Sequence, residues 1–103
     1  MTALSDGTPP EVERASGRFE IVNARGLHAR AATKLVQLAS RYACEVLISG
    51  PDAQDVNAKS VMGVLLVCGA KGTVVYVSAA GLGAHDVVDE IGRLIEARFG
   101  ESE

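Results

Sequence analysis

The chain has no tryptophan, and only two cysteines and two histidines among its 103 residues. Each scarcity excludes something. General nucleic-acid binders place aromatic stacking platforms on a basic surface. A chain without Trp and with a formal net charge of −3 is not of that kind. Cys44 and Cys68 are too few for a disulfide scaffold and lack metal-ligand spacing. Both sit among apolar neighbours, so buried free thiols are expected and no metal. Long apolar runs are scarce as well: Val61 to Cys68, the longest, is interrupted by Gly63 and falls far short of the roughly 20 residues that span a bilayer. The start of the chain carries Asp6, Glu11 and Glu13 where a secretory signal would have a basic start and an apolar block. A cytoplasmic protein with no membrane span is expected.

What is present suffices for one core. A hydrophobic content of 48% in a chain of this length favours a single domain. Residues 1–17 contain Gly7, Pro9, Pro10 and Gly17 without a periodic apolar pattern and read as a flexible leader. The folded domain is expected over 18–100, with 101–103 as a tail.

Within the domain the apolar period switches between two and 3.6. Phe19 to Asn23 alternates as a strand, and Asn23 to Gly26 supplies a turn. From Ala29 to Tyr42 a helix is predicted, with Ala32, Leu35, Leu38, Ala39 and Tyr42 on one stripe and Arg30, Lys34, Gln37 and Arg41 on the other. Cys44 to Ser49 and Gln54 to Asn57 form a hairpin around Gly50-Pro51-Asp52. Ser60 stands as an N-cap before the apolar segment Val61 to Val67, and Gly69 stops it. Thr73 to Ala79 is a strand with Val75, Val77 and Ala79 on one face. A last helix begins near Ala84, buries Val88, Ile91, Leu94, Ile95 and Phe99, and ends at Gly100. The order βαββαβα contains the split βαβ arrangement. The predicted class is α+β: an open-faced sandwich of a four-stranded antiparallel sheet with three helices on one face.

The chemistry concentrates at Gly26-Leu27-His28-Ala29-Arg30. Between Phe19 and Arg41 the one acidic residue is Glu20, against Arg25, Arg30, Lys34 and Arg41, so the histidine has a basic setting on an acidic protein. A helix N-terminus offers unpaired NH groups and a partial positive charge. A neutral imidazole there can attack a phosphoryl donor and hold the group as a phosphoimidazole, with Arg30 as a planar fork for phosphate oxygens. Spacing alone leaves two readings of His28: an exposed loop histidine ahead of a helix, or a nucleophile beside an anion site. His85 also precedes a helix, but Asp86 follows it and would repel phosphate, so it reads as a surface residue. A hydrolase using His28, His85 and the cysteines finds no carboxylate pair or ligand spacing.

Two segments together resemble the signatures of the HPr family, the histidine-containing phosphocarriers of the phosphoenolpyruvate-dependent phosphotransferase system. They are Gly26-Leu27-His28-Ala29-Arg30 and, downstream, Val56-Asn57-Ala58-Lys59-Ser60-Val61-Met62-Gly63. The resemblance extends over about Arg18 to Phe99. It implies that His28 receives a phosphoryl group on Nδ1 from enzyme I and passes it to sugar-specific acceptor domains, and that Arg30 positions the phosphate. It implies docking through Lys34, Val61, Met62 and Val64, regulation by an HPr kinase at Ser60, and a monomer without cofactor. A related reading is a regulatory or nitrogen-type phosphorelay not coupled to sugar import. One departure stands out: Ala31 occupies the position where the commonest family motif has proline.

Overall fold

The computed structural model describes residues 12–67 and 69–103; the rest of the expected leader and Cys68 lie outside the described residues. The elements in chain order are β1 (Arg14–Glu20), α1 (Ala29–Ala39), β2 (Glu45–Ser49), β3 (Val56–Asn57), α2 (Val61–Leu66), β4 (Val74–Ala80) and α3 (Ala84–Glu96). A short 3₁₀ turn, Arg98–Gly100, follows. The four strands make one antiparallel sheet in the order β1-β4-β2-β3. This is the α+β open sandwich expected.

Strand period two decides which side chains reach the core. Val75, Val77 and Ala79 of β4 and Val46 and Ile48 of β2 are buried, whereas Tyr76 between them is exposed. The helices cover that buried face with Leu35, Leu38, Val64, Val87, Val88, Ile91 and Ile95. Cys44 is a buried free thiol in this core.

The first strand begins earlier than the expected leader allows. Arg14 to Gly17 pair with Ala80 to Val77 across the ladder, so these residues are sheet. Ala15 and Gly17 are too small to register as an apolar alternation, and the partner strand supplies the ladder instead. Helix α1 ends at Ala39, short of Tyr42, because Arg41 N and Tyr42 N bond three residues back to Leu38 O and Ala39 O. That is the tighter winding in which helices commonly finish.

The expected tail is also part of the fold. Arg98 and Phe99 have φ of 59° and 55°, and Gly100 has φ of 80°. Left-handed backbone at two non-glycine residues costs about 1–2 kcal/mol each. The reversal is held because the Phe99 ring is fully buried and its carbonyl accepts a 2.6 Å hydrogen bond from Lys34 Nζ. Past it, Ala24 N donates to Glu103 O at 2.9 Å. The last residues therefore lie against the turn before α1.

Candidate functional site

That turn is built for close approach. Asn23, fully buried, donates from Nδ2 to the Gly26 carbonyl at 2.9 Å, and Gly26 N donates back to Asn23 O at 3.1 Å. Gly26 has φ of 66°, and a Cβ there would stand 2.4 Å from Gly69 O. Leu27 N donates to the same oxygen at 2.8 Å. The segment leading into α1 is thus pinned to the chain just beyond α2.

His28 is the residue this pinning delivers. Its φ of −74° and ψ of 176° are non-helical, while its carbonyl accepts the first helix bond from Ala32 N at 2.8 Å. The ring occupies the N-cap yet makes no capping hydrogen bond. The first-turn NH groups have no intrahelical acceptor, and the positive end of α1 opens beside the imidazole.

The ring is engaged from its other side. Nε2 of His28 hydrogen-bonds Oε2 of Glu101, and Oε1 of Glu101 accepts from Asn23 Nδ2 at 3.0 Å. The two side chains are 19% and 15% exposed, open enough for a partner to reach. The hydrogen bond from His28, then that from Asn23, holds the Glu101 carboxyl below the usual carboxylate range, with the charge of Arg25 adding to the effect. Asn23 Oδ1 is buried without a hydrogen-bond partner among the described residues.

A cavity of about 370 Å³ adjoins this pair, lined by Arg25, Arg30 and Lys34 and by Glu101 and Glu103. Arg30 and Lys34 are therefore brought together around this cavity, which reaches His28 through its partner Glu101. Arg25 and Glu101 join them unanticipated; Arg25 carried a signal in its local charge, whereas Glu101 stands 73 positions from His28 and carried none. A larger hollow, about 550 Å³, lies on the uncovered sheet face between Arg14, Glu45 and Ser78. The one ring that reaches it, His85, is occupied: its Nδ1 lies 2.9 Å from Glu13 Oε2, and the Glu13 carboxylate also accepts from His85 N and Gly83 N. These bonds, the one from the His85 backbone first, lower the Glu13 pKa. His85 is a surface residue at the start of α3.

Ser60 caps α2, its Oγ accepting from Gly63 N at 3.1 Å. It stands at the end of α2 opposite to Gly69, which bonds Leu27. On α2, Met62 is 76% exposed and Val61 is half-buried. Val64 does not share that surface: it is fully buried, and its assignment to a docking face is corrected. Spacing explains this, since Val64 lies three residues after Val61 on the inward side, while Leu66, four after Met62, points outward and is 63% exposed. Leu66 is the residue to place beside Met62.

Comparison with known proteins agrees with the fold. A family model described as the PTS HPr component phosphorylation site matches residues 15–97. Phosphocarrier protein HPr from Neisseria meningitidis serogroup A is 40% identical over 85 residues, covering 82% of this chain and 94% of that protein. Among solved structures, HPr-C-His from Thermoanaerobacter tengcongensis superposes with a TM-score of 0.80 at 37% identity, covering 86% of this chain and 99% of that one. Crh, the Bacillus subtilis catabolite repression HPr, gives a TM-score of 0.59 at 30% identity over 79% of this chain and 95% of that one.

Proposed function

The chain belongs to the HPr family of phosphocarrier proteins of the phosphotransferase system, and we propose that its carrier group is His28. In this reading Nδ1 takes a phosphoryl group from enzyme I, itself charged by phosphoenolpyruvate, and passes it to acceptor domains in the cytoplasm. The observation that carries it is a ring at a helix N-cap whose side chain leaves the cap unused, bonded to Glu101 at the edge of a cleft that Arg25, Arg30 and Lys34 also line. The Nδ1 lone pair forms the N–P bond while the bond to the donor breaks, its electron pair leaving with the donor. Arg30, Arg25 and Lys34 then face the new dianion, Arg30 as a planar fork. Discharge to an acceptor reverses the step, so the protein is consumed and regenerated stoichiometrically and catalyses no reaction alone.

Docking falls to the exposed apolar side of α2, Met62 and Leu66 with the edge of Val61, together with Lys34. Ser60 supplies the regulation, as the substrate of an ATP-dependent HPr kinase. Its phosphate would add roughly two negative charges at the start of α2, on the approach to the docking face, and carrier function would fall.

The test is incubation with enzyme I and phosphoenolpyruvate. The expected product is an acid-labile phosphate on the wild type that is absent from His28→Ala; no labelling with several enzyme I types would sink the reading. Incubation with ATP and an HPr kinase, with Ser60→Ala as control, tests the regulatory serine.

A further inference from the structure

The carboxylate of Glu101 sits on Nε2 of His28, the ring nitrogen that the carrier reading leaves unphosphorylated. We infer that Glu101 is a positioning residue for phosphoryl transfer: backed by Asn23, it holds the proton on Nε2 and leaves Nδ1 as the bare nucleophile. This deepens the carrier reading and rests on it.

The proton assignment follows from the partners. An ionised carboxylate has no hydrogen to give, so in the contact Nε2 must donate. In a neutral imidazole the other nitrogen then carries the lone pair. Among the described residues Nδ1 makes no cap hydrogen bond, which leaves that lone pair open to an electrophile.

Glu101 is held from several directions, which distinguishes it from a residue swinging on a loose end. Its Oε1 is held by Asn23 Nδ2 at 3.0 Å, and its backbone N donates to Arg98 O at 2.9 Å. The buried Phe99 ring and the Lys34 to Phe99 bond anchor the turn before it, and the Ala24 to Glu103 bond anchors the chain after it. The other charged groups at the cleft are Arg25, Arg30, Lys34 and Glu103. The cations favour the ionised carboxylate.

The step balances without moving a proton. When Nδ1 bonds to phosphorus and the donor leaves with the electron pair of its broken bond, Nε2 keeps its hydrogen and the ring becomes a phosphoimidazolium. The carboxylate facing that hydrogen stabilises the positive charge as it forms. On discharge the P–N bond breaks, its pair returns to Nδ1, and the neutral ring is restored with the proton on the same atom. An aspartate on the far nitrogen of a catalytic histidine acts in this way in hydrolase triads.

The experiment is ¹⁵N NMR of the imidazole in the full chain, where the ring is neutral, with enzyme I phosphorylation kinetics alongside. The wild type is expected to show one tautomer, hydrogen on Nε2. Glu101→Ala and Glu101→Gln should move it toward a mixture, because alanine offers no acceptor and the glutamine amide can also donate to a bare Nε2. The initial rate of phosphorylation at saturating enzyme I should fall about tenfold in both, with half-saturation little changed and part of the rate recovered by Glu101→Asp. A wild-type ring with hydrogen on Nδ1, or the same tautomer population and rate in Glu101→Ala, would overturn the inference. A wild type that takes no phosphate while its tautomer still depends on Glu101 would sink phosphorylation at His28 and leave the proton placement standing.

Discussion

Lys34 Nζ donates a 2.6 Å hydrogen bond to the carbonyl oxygen of Phe99, tying the middle of α1 to the reversal that follows α3. A residue of the basic ridge is thereby a structural strut for the carboxylate on His28. Phe99→Ala removes the ring that holds this reversal and is expected to destabilise the protein by about 3–5 kcal/mol. Lys34→Met, which keeps most of the apolar stem, should cost about 1 kcal/mol. Urea unfolding checks both, and a loss below about 1 kcal/mol for Phe99→Ala would contradict the packing described.

Gly26 and Gly72 both have positive φ, but only one is crowded. A Cβ at Gly26 would stand 2.4 Å from Gly69 O, whereas one at Gly72 meets nothing within 4 Å. Gly72→Ala should therefore cost only the conformational term, about 1–2 kcal/mol. Gly26→Ala adds a backbone clash and should cost clearly more, about 3 kcal/mol. It should also disturb His28 resonances, because the same turn delivers the ring. Equal losses at the two positions would argue against the close approach.

The part of the site that was legible in the sequence is the part made of one local turn. His28 and Arg30 lie within three residues of each other at a helix entrance, so periodicity and the turn before them place both at the start of α1, and the resemblance to the HPr signatures singles out His28. The stripe of Leu35, Leu38 and Ala39 likewise announces its own burial. Glu101 was not legible, because its contact spans 73 positions and depends on left-handed backbone at two non-glycine residues, Arg98 and Phe99, where Gly100 signals only that the helix ends. Glu13 failed to register for a related reason: its partners, Gly83 N and His85 N, belong to an element at the other end of the chain. Val64 was misplaced because a six-residue apolar helix offers too little periodicity to tell its inner side from its outer one.

Acid should weaken the contacts that Glu101 and Glu13 make. The carboxyls of Glu101 and Glu13 have folded-state pKa values below their ordinary one, chiefly through hydrogen bonds from His28 and from the His85 backbone respectively. Groups depressed in this direction stabilise the fold fully above their unfolded-state pKa and lose that contribution as pH falls through the folded value. Melting temperature should thus drop on acidification below about pH 4.5. Glu101→Gln and Glu13→Gln should each flatten the drop while lowering stability at neutral pH. Acid profiles parallel to the wild type in both variants would remove these carboxyls from the explanation.

Base should act at one tyrosine. Tyr42 OH donates to Glu90, and this bond, reinforced by partial burial and the negative charge of Glu90, pushes the phenol up to about 12. A neutral phenol favoured in the folded state stabilises it fully below the unfolded-state pKa near 10, and that contribution is lost as pH rises toward 12. Ultraviolet titration should show a tyrosinate step near 12 that Tyr42→Phe abolishes and Glu90→Gln shifts downward. An unchanged step in Glu90→Gln would exclude the carboxylate as its cause.

Ala31 is where this chain departs from the commonest family motif, and the structure says what proline would do there. Ala31 is the third residue of α1 and fully buried, and the first helix bond belongs to the next residue, Ala32 N to His28 O. The Ala31 NH therefore has no intrahelical acceptor, and proline would break no helix bond. Its fixed φ lowers the entropy of the unfolded chain, while its ring disfavours helical backbone at Arg30. Stability of Ala31→Pro should accordingly stay within about 1 kcal/mol of the wild type. The phosphorylated site should respond more, because proline removes one of the first-turn NH groups that lack an intrahelical acceptor beside His28. Losing one such donor is expected to shorten the phosphohistidine lifetime about threefold, followed as phosphate release from the labelled protein. An unchanged or longer lifetime would mean that the Ala31 NH does not face the phosphoryl group.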